Sequence, residues 1–150
     1  MPLSKRISRL FTFEAAHRIF GYDKASCGSL HGHSYRAEVT LEARGVNEFG
    51  FVLDFNEMKK LQGWIDAHLD HATLVDERDE SLRRFLEGSG DRHFVLGGGT
   101  SAESIAEELR RQAVRLFEDG RVKVVSVSVK ETGKCGAEVG LGGFDTNEAK

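Results

Sequence analysis

A two-residue rhythm opens the chain. From Ile7 the odd positions read Ile7, Arg9, Phe11, Phe13, Ala15 and His17, an apolar face broken only by Arg9 that ends in a histidine. A second segment alternates more cleanly. His31, His33, Tyr35, Ala37, Val39, Leu41 and Ala43 share one parity, and Ser34, Arg36, Glu38, Thr40, Glu42 and Arg44 share the other. Successive side chains of a strand point to opposite faces, so both segments predict half-buried strands. The rhythm then lengthens. Phe55, Met58, Leu61, Ile65 and Leu69 recur at helical steps behind Asp54, which suits an N-cap. Thr100 and Glu103 fit a capping box in front of a second helical stripe, Ile105, Leu109, Ala113 and Leu116, which Asp119-Gly120 ends. Arg121 to Glu131 predicts a third strand, with Val125, Val127, Val129 and Glu131 on one face, and Ala137 to Leu141 a short fourth.

The least regular part lies between the helices, Val75 to Gly99, where Glu80 to Glu87 suggests a short helix and His93 to Leu96 a short strand. Gly97-Gly98-Gly99 lacks the Lys-Ser/Thr ending of a phosphate-binding loop and reads as a flexible joint. The main elements run ββααββ, with helices grouped on one face of an antiparallel sheet, an α+β domain over residues 1–143. Residues 144–150 form a polar tail expected to fray.

Composition narrows the function. The chain has 150 residues, 39% of them apolar, enough to bury a core. A net charge of −3 gives no global attraction to nucleic acid or an anionic membrane, so any anionic substrate must meet a local basic patch. No apolar run approaches a membrane span, and the first ten residues lack the apolar core of a secretory signal, which points to the cytoplasm. Two cysteines, Cys27 and Cys135, cannot build a disulfide framework.

Chemistry concentrates on three of the six histidines. His31 and His33 project from one face of the second strand, and His17 ends the apolar face of the first. Paired as an antiparallel hairpin, the two strands bring all three imidazoles together. Three neutral imidazoles suit zinc and leave a fourth position for water or substrate, the mark of a catalytic rather than a structural site. Cys27, four residues before His31, is either a fourth ligand that closes the site or a base or nucleophile beside it; spacing alone does not choose. Asp70-His71 offers an Asp–His–Cys relay to that thiol, against the simpler reading of a histidine at a helix C-terminus. Glu131, on an otherwise valine face, either receives a substrate N–H array such as the guanidine-like edge of a pterin or begins the turn at Thr132-Gly133.

Together these residues resemble one family. Phe13-Glu14-Ala15-Ala16-His17, Cys27-Gly28-Ser29-Leu30-His31-Gly32-His33-Ser34-Tyr35, Gly50-Phe51-Val52-Leu53-Asp54-Phe55, Leu69-Asp70-His71 and Lys130-Glu131-Thr132 follow the motifs, in order, of the 6-pyruvoyl-tetrahydropterin synthase family, which includes the 6-carboxy-tetrahydropterin synthases. The Cys-Gly-x-Leu-His-Gly-His form is more similar to the queuosine-pathway branch than to the biopterin branch. The resemblance implies the tunnelling fold, a four-stranded antiparallel sheet with two helices on one side. It also implies a homohexamer of two stacked trimers with active sites between subunits. It implies Zn2+ on His17, His31 and His33, Cys27 as proton acceptor, Asp70 and His71 as its relay, and Glu131 as pterin anchor and relay partner. The implied reaction is a lyase step on 7,8-dihydroneopterin triphosphate that yields 6-carboxy-5,6,7,8-tetrahydropterin, acetaldehyde and triphosphate. The 6-pyruvoyl synthase reaction is the rival within the family. The rival from another class is a non-catalytic zinc protein, its structural site closed by Cys27 beside the three histidines.

Two departures stand out. The family's Pro-Thr-x-Glu-Asn is here Thr100-Ser101-Ala102-Glu103-Ser104, and the segment from Asp76 to Gly99 is longer than in compact members. Arg18, Lys24, Arg92 and Lys134 are the candidate basic contacts for a triphosphate.

Overall fold

The computed structural model describes residues 3–23 and 25–142. The expected 144–150 tail and Lys24 lie outside the described residues. Two long strands, β1 (Lys5–His17) and β2 (His31–Ala43), pair antiparallel along their whole length. Their inner parity carries the core: Phe11, Phe13, Tyr35, Val39 and Leu41 are buried. Each such side chain contributes roughly 1.5–3 kcal/mol on leaving water, which offsets the entropy of ordering the pair. The helices α1 (Phe55–His68) and α3 (Ala102–Phe117) cover this face. Asp54 caps α1 by accepting from the Asn56 N–H at 2.8 Å. The cap of α3 is Ser101, one residue later than the capping box suggests. The Thr100 hydroxyl instead points to the end of β1, donating to the Arg18 carbonyl. Phe117, rather than Leu116, closes the inner stripe of α3.

The sheet has six strands and is mixed, not the four antiparallel strands expected, in the order β4-β3-β1-β2-β5-β6. The strands β5 (Val122–Lys130) and β6 (Gly136–Gly140) extend it antiparallel from β2. On the other side β3 (Ala72–Asp76) pairs parallel to β1, and β4 (His93–Leu96) parallel to β3, with α2 (Glu80–Ser89) between them in sequence. The element order is therefore ββαβαβαββ, with three α-helices among the described residues. The sequence hid β3 because it does not alternate. Leu74 faces the main core, while Val75 packs with Leu82 and Leu86 of α2 on the opposite face, so both parities are apolar.

A second difference lies in β5. A register shift opposite Thr40/Leu41 leaves Val125 as an extra residue, so Val122 and Val124 bury before it, and Val127 and Val129 after it. The bulge leaves Val127 and Val129 facing inward and sets the direction in which Glu131 leaves the strand.

Candidate metal centre and its cavity

Register assembles the three histidines. His17 lies opposite His31, and the next inward-facing pair sets Ala15 against His33. Ala15 is small enough to leave space beside the ring. His17, His31 and His33 offer one nitrogen each, all within 4.8 Å of one another. Two rings are oriented from behind. The Nδ1–H of His17 donates to the Thr100 carbonyl at 2.6 Å, and that of His31 to the Ser29 carbonyl at 2.6 Å. Each ring then presents an unprotonated Nε2 inward, the state a metal ligand requires.

The inward nitrogens fit a cation. The Nε2 atoms of His17 and His31 are 3.2 Å apart, and among the described residues the buried His33 Nε2 has no hydrogen-bond partner. An unpartnered buried nitrogen costs about 1–3 kcal/mol, a cost that a bound divalent ion would remove. Glu131 adds negative charge, with its carboxylate oxygens 3.8 Å from His17 Nε2 and 3.9 Å from His33 Nε2. Burial holds the His17 pKa below its ordinary value, against the pull of the Thr100 carbonyl and Glu131, so the ring is neutral. The donor set is one that zinc accepts.

Beneath the rings sits Tyr35, fully buried, its hydroxyl also unpartnered, 5.4 Å from His33 and 6.0 Å from His17 between ring centroids. Burial, and then Glu131, push the phenol pKa upward, so it stays neutral. Its parity, shared with His31 and His33, puts Tyr35 on the same face as the rings.

The triad forms one wall of a cavity of about 620 Å³ that also includes Cys27, Glu103, Glu131 and Cys135. Glu103 and Cys135 were not read from the sequence as cavity residues. Cys27 is exposed on a 3₁₀ turn, Ala25–Gly28, whose Cys27 carbonyl accepts from the Ile19 N–H at 2.9 Å. Gly28 is required there, because a Cβ would stand 1.9 Å from the Tyr22 carbonyl oxygen. Gly28→Ala is expected to displace the turn and lower kcat/KM by about 10²-fold through misplacement of the thiol. Bound metal, measured by atomic absorption, is expected to fall far less than kcat/KM, since His17, His31 and His33 stand on β1 and β2.

Asp70 and His71 lie elsewhere. They pair, Nδ1–H to Oδ2 at 2.8 Å, beside an open groove that includes Glu14, His33 and Ser34 but not Cys27. Glu14 clamps them from both sides: its N–H donates to Asp70 Oδ1 at 2.8 Å and its carbonyl accepts from the His71 N–H at 2.6 Å. The Glu14 N–H, and then His71, keep the Asp70 carboxyl below the usual carboxylate range. His71 adopts φ 56°, a left-handed conformation that costs about 1 kcal/mol or more in a non-glycine residue. Its side chain is 76% exposed. His71 and Cys27 thus line different surfaces, which meet at His33.

Of the basic candidates, Arg18 is committed to Asp79 through two 2.7 Å hydrogen bonds, and Arg92 donates to the Asp66 carbonyl. Lys134 stands in the exposed β5–β6 turn. Among the described residues no helix is long and apolar enough to cross a membrane.

Residues 6–141 match the family model described as 6-pyruvoyl tetrahydropterin synthase. A protein named 6-carboxy-5,6,7,8-tetrahydropterin synthase from Rickettsia bellii is 34% identical over 137 residues, 89% of this chain and 99% of that protein. One of the same name from Aquifex aeolicus is 32% identical over 154 aligned positions, 88% and 95% of the two chains. Among solved structures, an uncharacterised protein from Wolinella succinogenes aligns with a TM-score of 0.75 at 27% identity, covering 93% of this chain and 99% of that one. The 6-pyruvoyltetrahydropterin synthase of Plasmodium vivax aligns with a TM-score of 0.71 at 20% identity, covering 91% and 97%, a likeness of fold.

Proposed function

The chain belongs to the 6-pyruvoyl tetrahydropterin synthase family, and from that premise we propose that it is a zinc-dependent lyase that converts 7,8-dihydroneopterin triphosphate to 6-carboxy-5,6,7,8-tetrahydropterin, releasing acetaldehyde and triphosphate. The observation that carries the reading is the shared cavity: three inward imidazole nitrogens, a thiol and a carboxylate open on one space. The 6-carboxy branch is favoured by relatives of that name at 30% to 34% identity over most of the chain. In this reading the place of the product is queuosine biosynthesis, and the compartment is the cytoplasm.

Zinc held by His17, His31 and His33 would supply Lewis acidity toward a substrate oxygen. The chain's own residues do the rest. Thr100 and Ser29 hold two of the rings in the ligating tautomer through their carbonyls. Glu131 receives the N–H edge of the pterin and takes part in proton transfer. Cys27 accepts a proton from the three-carbon side chain. Tyr35, buried and neutral, packs against the rings of His17 and His33 and limits their movement.

Asp70 and His71 complete the relay across a subunit boundary in a homohexamer, two stacked trimers. The separation of the dyad from Cys27 within one chain supports this arrangement. Cys27→Ala and His71→Ala proteins, each inactive, are expected to regain roughly a quarter of wild-type activity when unfolded together, refolded and mixed at equal amounts, the statistical share of boundaries carrying both intact residues. A relay closed within one chain recovers nothing.

The branch is tested by product. Incubation with 7,8-dihydroneopterin triphosphate is expected to release acetaldehyde. Triphosphate release without acetaldehyde assigns the protein to the 6-pyruvoyl reaction instead.

A further inference from the structure

The stretch immediately after His17 is held by a dense set of contacts from the long segment Asp76 to Gly99. Arg18 donates from Nε and from a terminal nitrogen to the two carboxylate oxygens of Asp79, both at 2.7 Å, and also to the Ser81 hydroxyl at 3.1 Å. Asp79 is only 2% exposed, so its charge depends on that guanidinium. Asp79 also caps α2 by accepting from the Leu82 N–H. Two residues on, Phe20 lies under the Arg78 guanidinium, 5.3 Å from it, and Arg78 in turn pairs with the buried Asp76 at 2.7 Å.

The far end of the same segment returns to the same place. Gly99 at φ 103° brings the chain back beside Asp76, where a Cβ on Gly99 would lie 3.5 Å from the Asp76 carboxylate. The next residue, Thr100, is 2% exposed and acts in two directions. Its hydroxyl donates to the Arg18 carbonyl at 2.9 Å, and its own carbonyl receives the Nδ1–H of His17 at 2.6 Å. A closed circuit results: His17 to the Thr100 carbonyl, the Thr100 hydroxyl to Arg18, Arg18 to Asp79, and Asp79 through the segment back to Thr100.

The geometry points to Thr100 and Asp79 as positioning residues for the metal ligand His17, with the Asp76–Gly99 segment as the brace that fixes its tautomer and ring angle. The inference rests on the reading of His17 as a ligand, but its first consequence needs no metal. A carbonyl held at 2.6 Å selects the Nδ1–H tautomer before any ion arrives. Groups behind a ligating histidine commonly set metal affinity by about 10- to 100-fold.

The test compares the wild type with Thr100→Val, Thr100→Ser and Asp79→Asn. Thr100→Val keeps the shape and removes the hydroxyl; Thr100→Ser keeps the hydroxyl. Zinc dissociation constants come from competition with a chromophoric chelator. The His17 tautomer comes from long-range nitrogen–proton NMR of the zinc-free protein, and folding from thermal melts. Thr100→Val is expected to bind zinc about tenfold more weakly and to lose the pure Nδ1–H tautomer. Asp79→Asn is expected to shift both in the same direction, and Thr100→Ser to restore both. Wild-type affinity and tautomer in Thr100→Val and Asp79→Asn overturn the inference. So does a loss that Thr100→Ser fails to restore, since that is packing damage alone. A wild-type protein with the Nδ1–H tautomer but no zinc affinity overturns the metal reading and leaves the brace standing.

Discussion

His33→Ala is expected to bind zinc on the order of 10²-fold more weakly, because three or four ligands share an affinity of about 10–16 kcal/mol and each accounts for about 3 kcal/mol. Turnover is expected to fall further, by about 10³-fold or more, with the loss of several kcal/mol of charge stabilisation at the reacting oxygen. The fold should not suffer. Among the described residues His33 Nε2 is buried without a hydrogen-bond partner, so in the metal-free protein its removal relieves a cost that offsets the ring packing lost against Tyr35. The melting temperature of zinc-free His33→Ala should therefore stay near that of zinc-free wild type, while saturating zinc should stabilise the variant by about 2.7 kcal/mol less than the wild type, the equivalent of the 10²-fold loss. Calorimetry with and without zinc measures both. Wild-type zinc affinity in the variant contradicts the three-histidine site.

Cys27→Ala separates catalysis from structure. If the thiol accepts a proton and does not hold the metal, turnover falls about 10²- to 10⁴-fold, the usual share of a general base. Zinc affinity and melting temperature stay at wild-type values. The location of Cys27, exposed on a 3₁₀ turn outside the sheet, supports that outcome. A structural site of one cysteine and three histidines predicts the reverse: zinc and stability fall together, because the binding energy of a structural zinc is folding energy.

The histidine triad was legible because strand parity is a strict period of two. His31 and His33 had to share a face, and an apolar face leading to His17 fixed the third ring once β1 and β2 paired. Asp54 at the start of α1 was legible for a local reason, a side chain that reaches the Asn56 N–H two residues on. Long-range partners were not. Thr100 has the side chain of a cap, but its hydroxyl turns to donate to the carbonyl of Arg18, 82 positions away, and Ser101 caps instead. Strand β3 carries no alternation because α2 covers its second face, and that helix comes from the segment the sequence left least defined. The bulge in β5 shifts parity midway, which no run of valines reveals.

The relay shows the same limit from the functional side. Leu69-Asp70-His71 announces a paired carboxylate and imidazole, and the two do bond at 2.8 Å. Which cavity they face depends on the parallel pairing of β3 with β1, since the dyad immediately precedes β3 at the edge of Glu14. That pairing is invisible to a pattern of apolar positions, so the sequence placed the dyad beside Cys27 only by resemblance.

The ligand sphere itself tests the central claim most directly. Zinc K-edge X-ray absorption on the zinc-loaded wild-type protein is expected to show only nitrogen and oxygen scatterers at about 2.0–2.1 Å, three of them imidazoles, with the spectrum unchanged in Cys27→Ala. A sulfur scatterer at about 2.3 Å, lost in Cys27→Ala, would place Cys27 on the metal, close the fourth position and contradict a catalytic three-histidine centre.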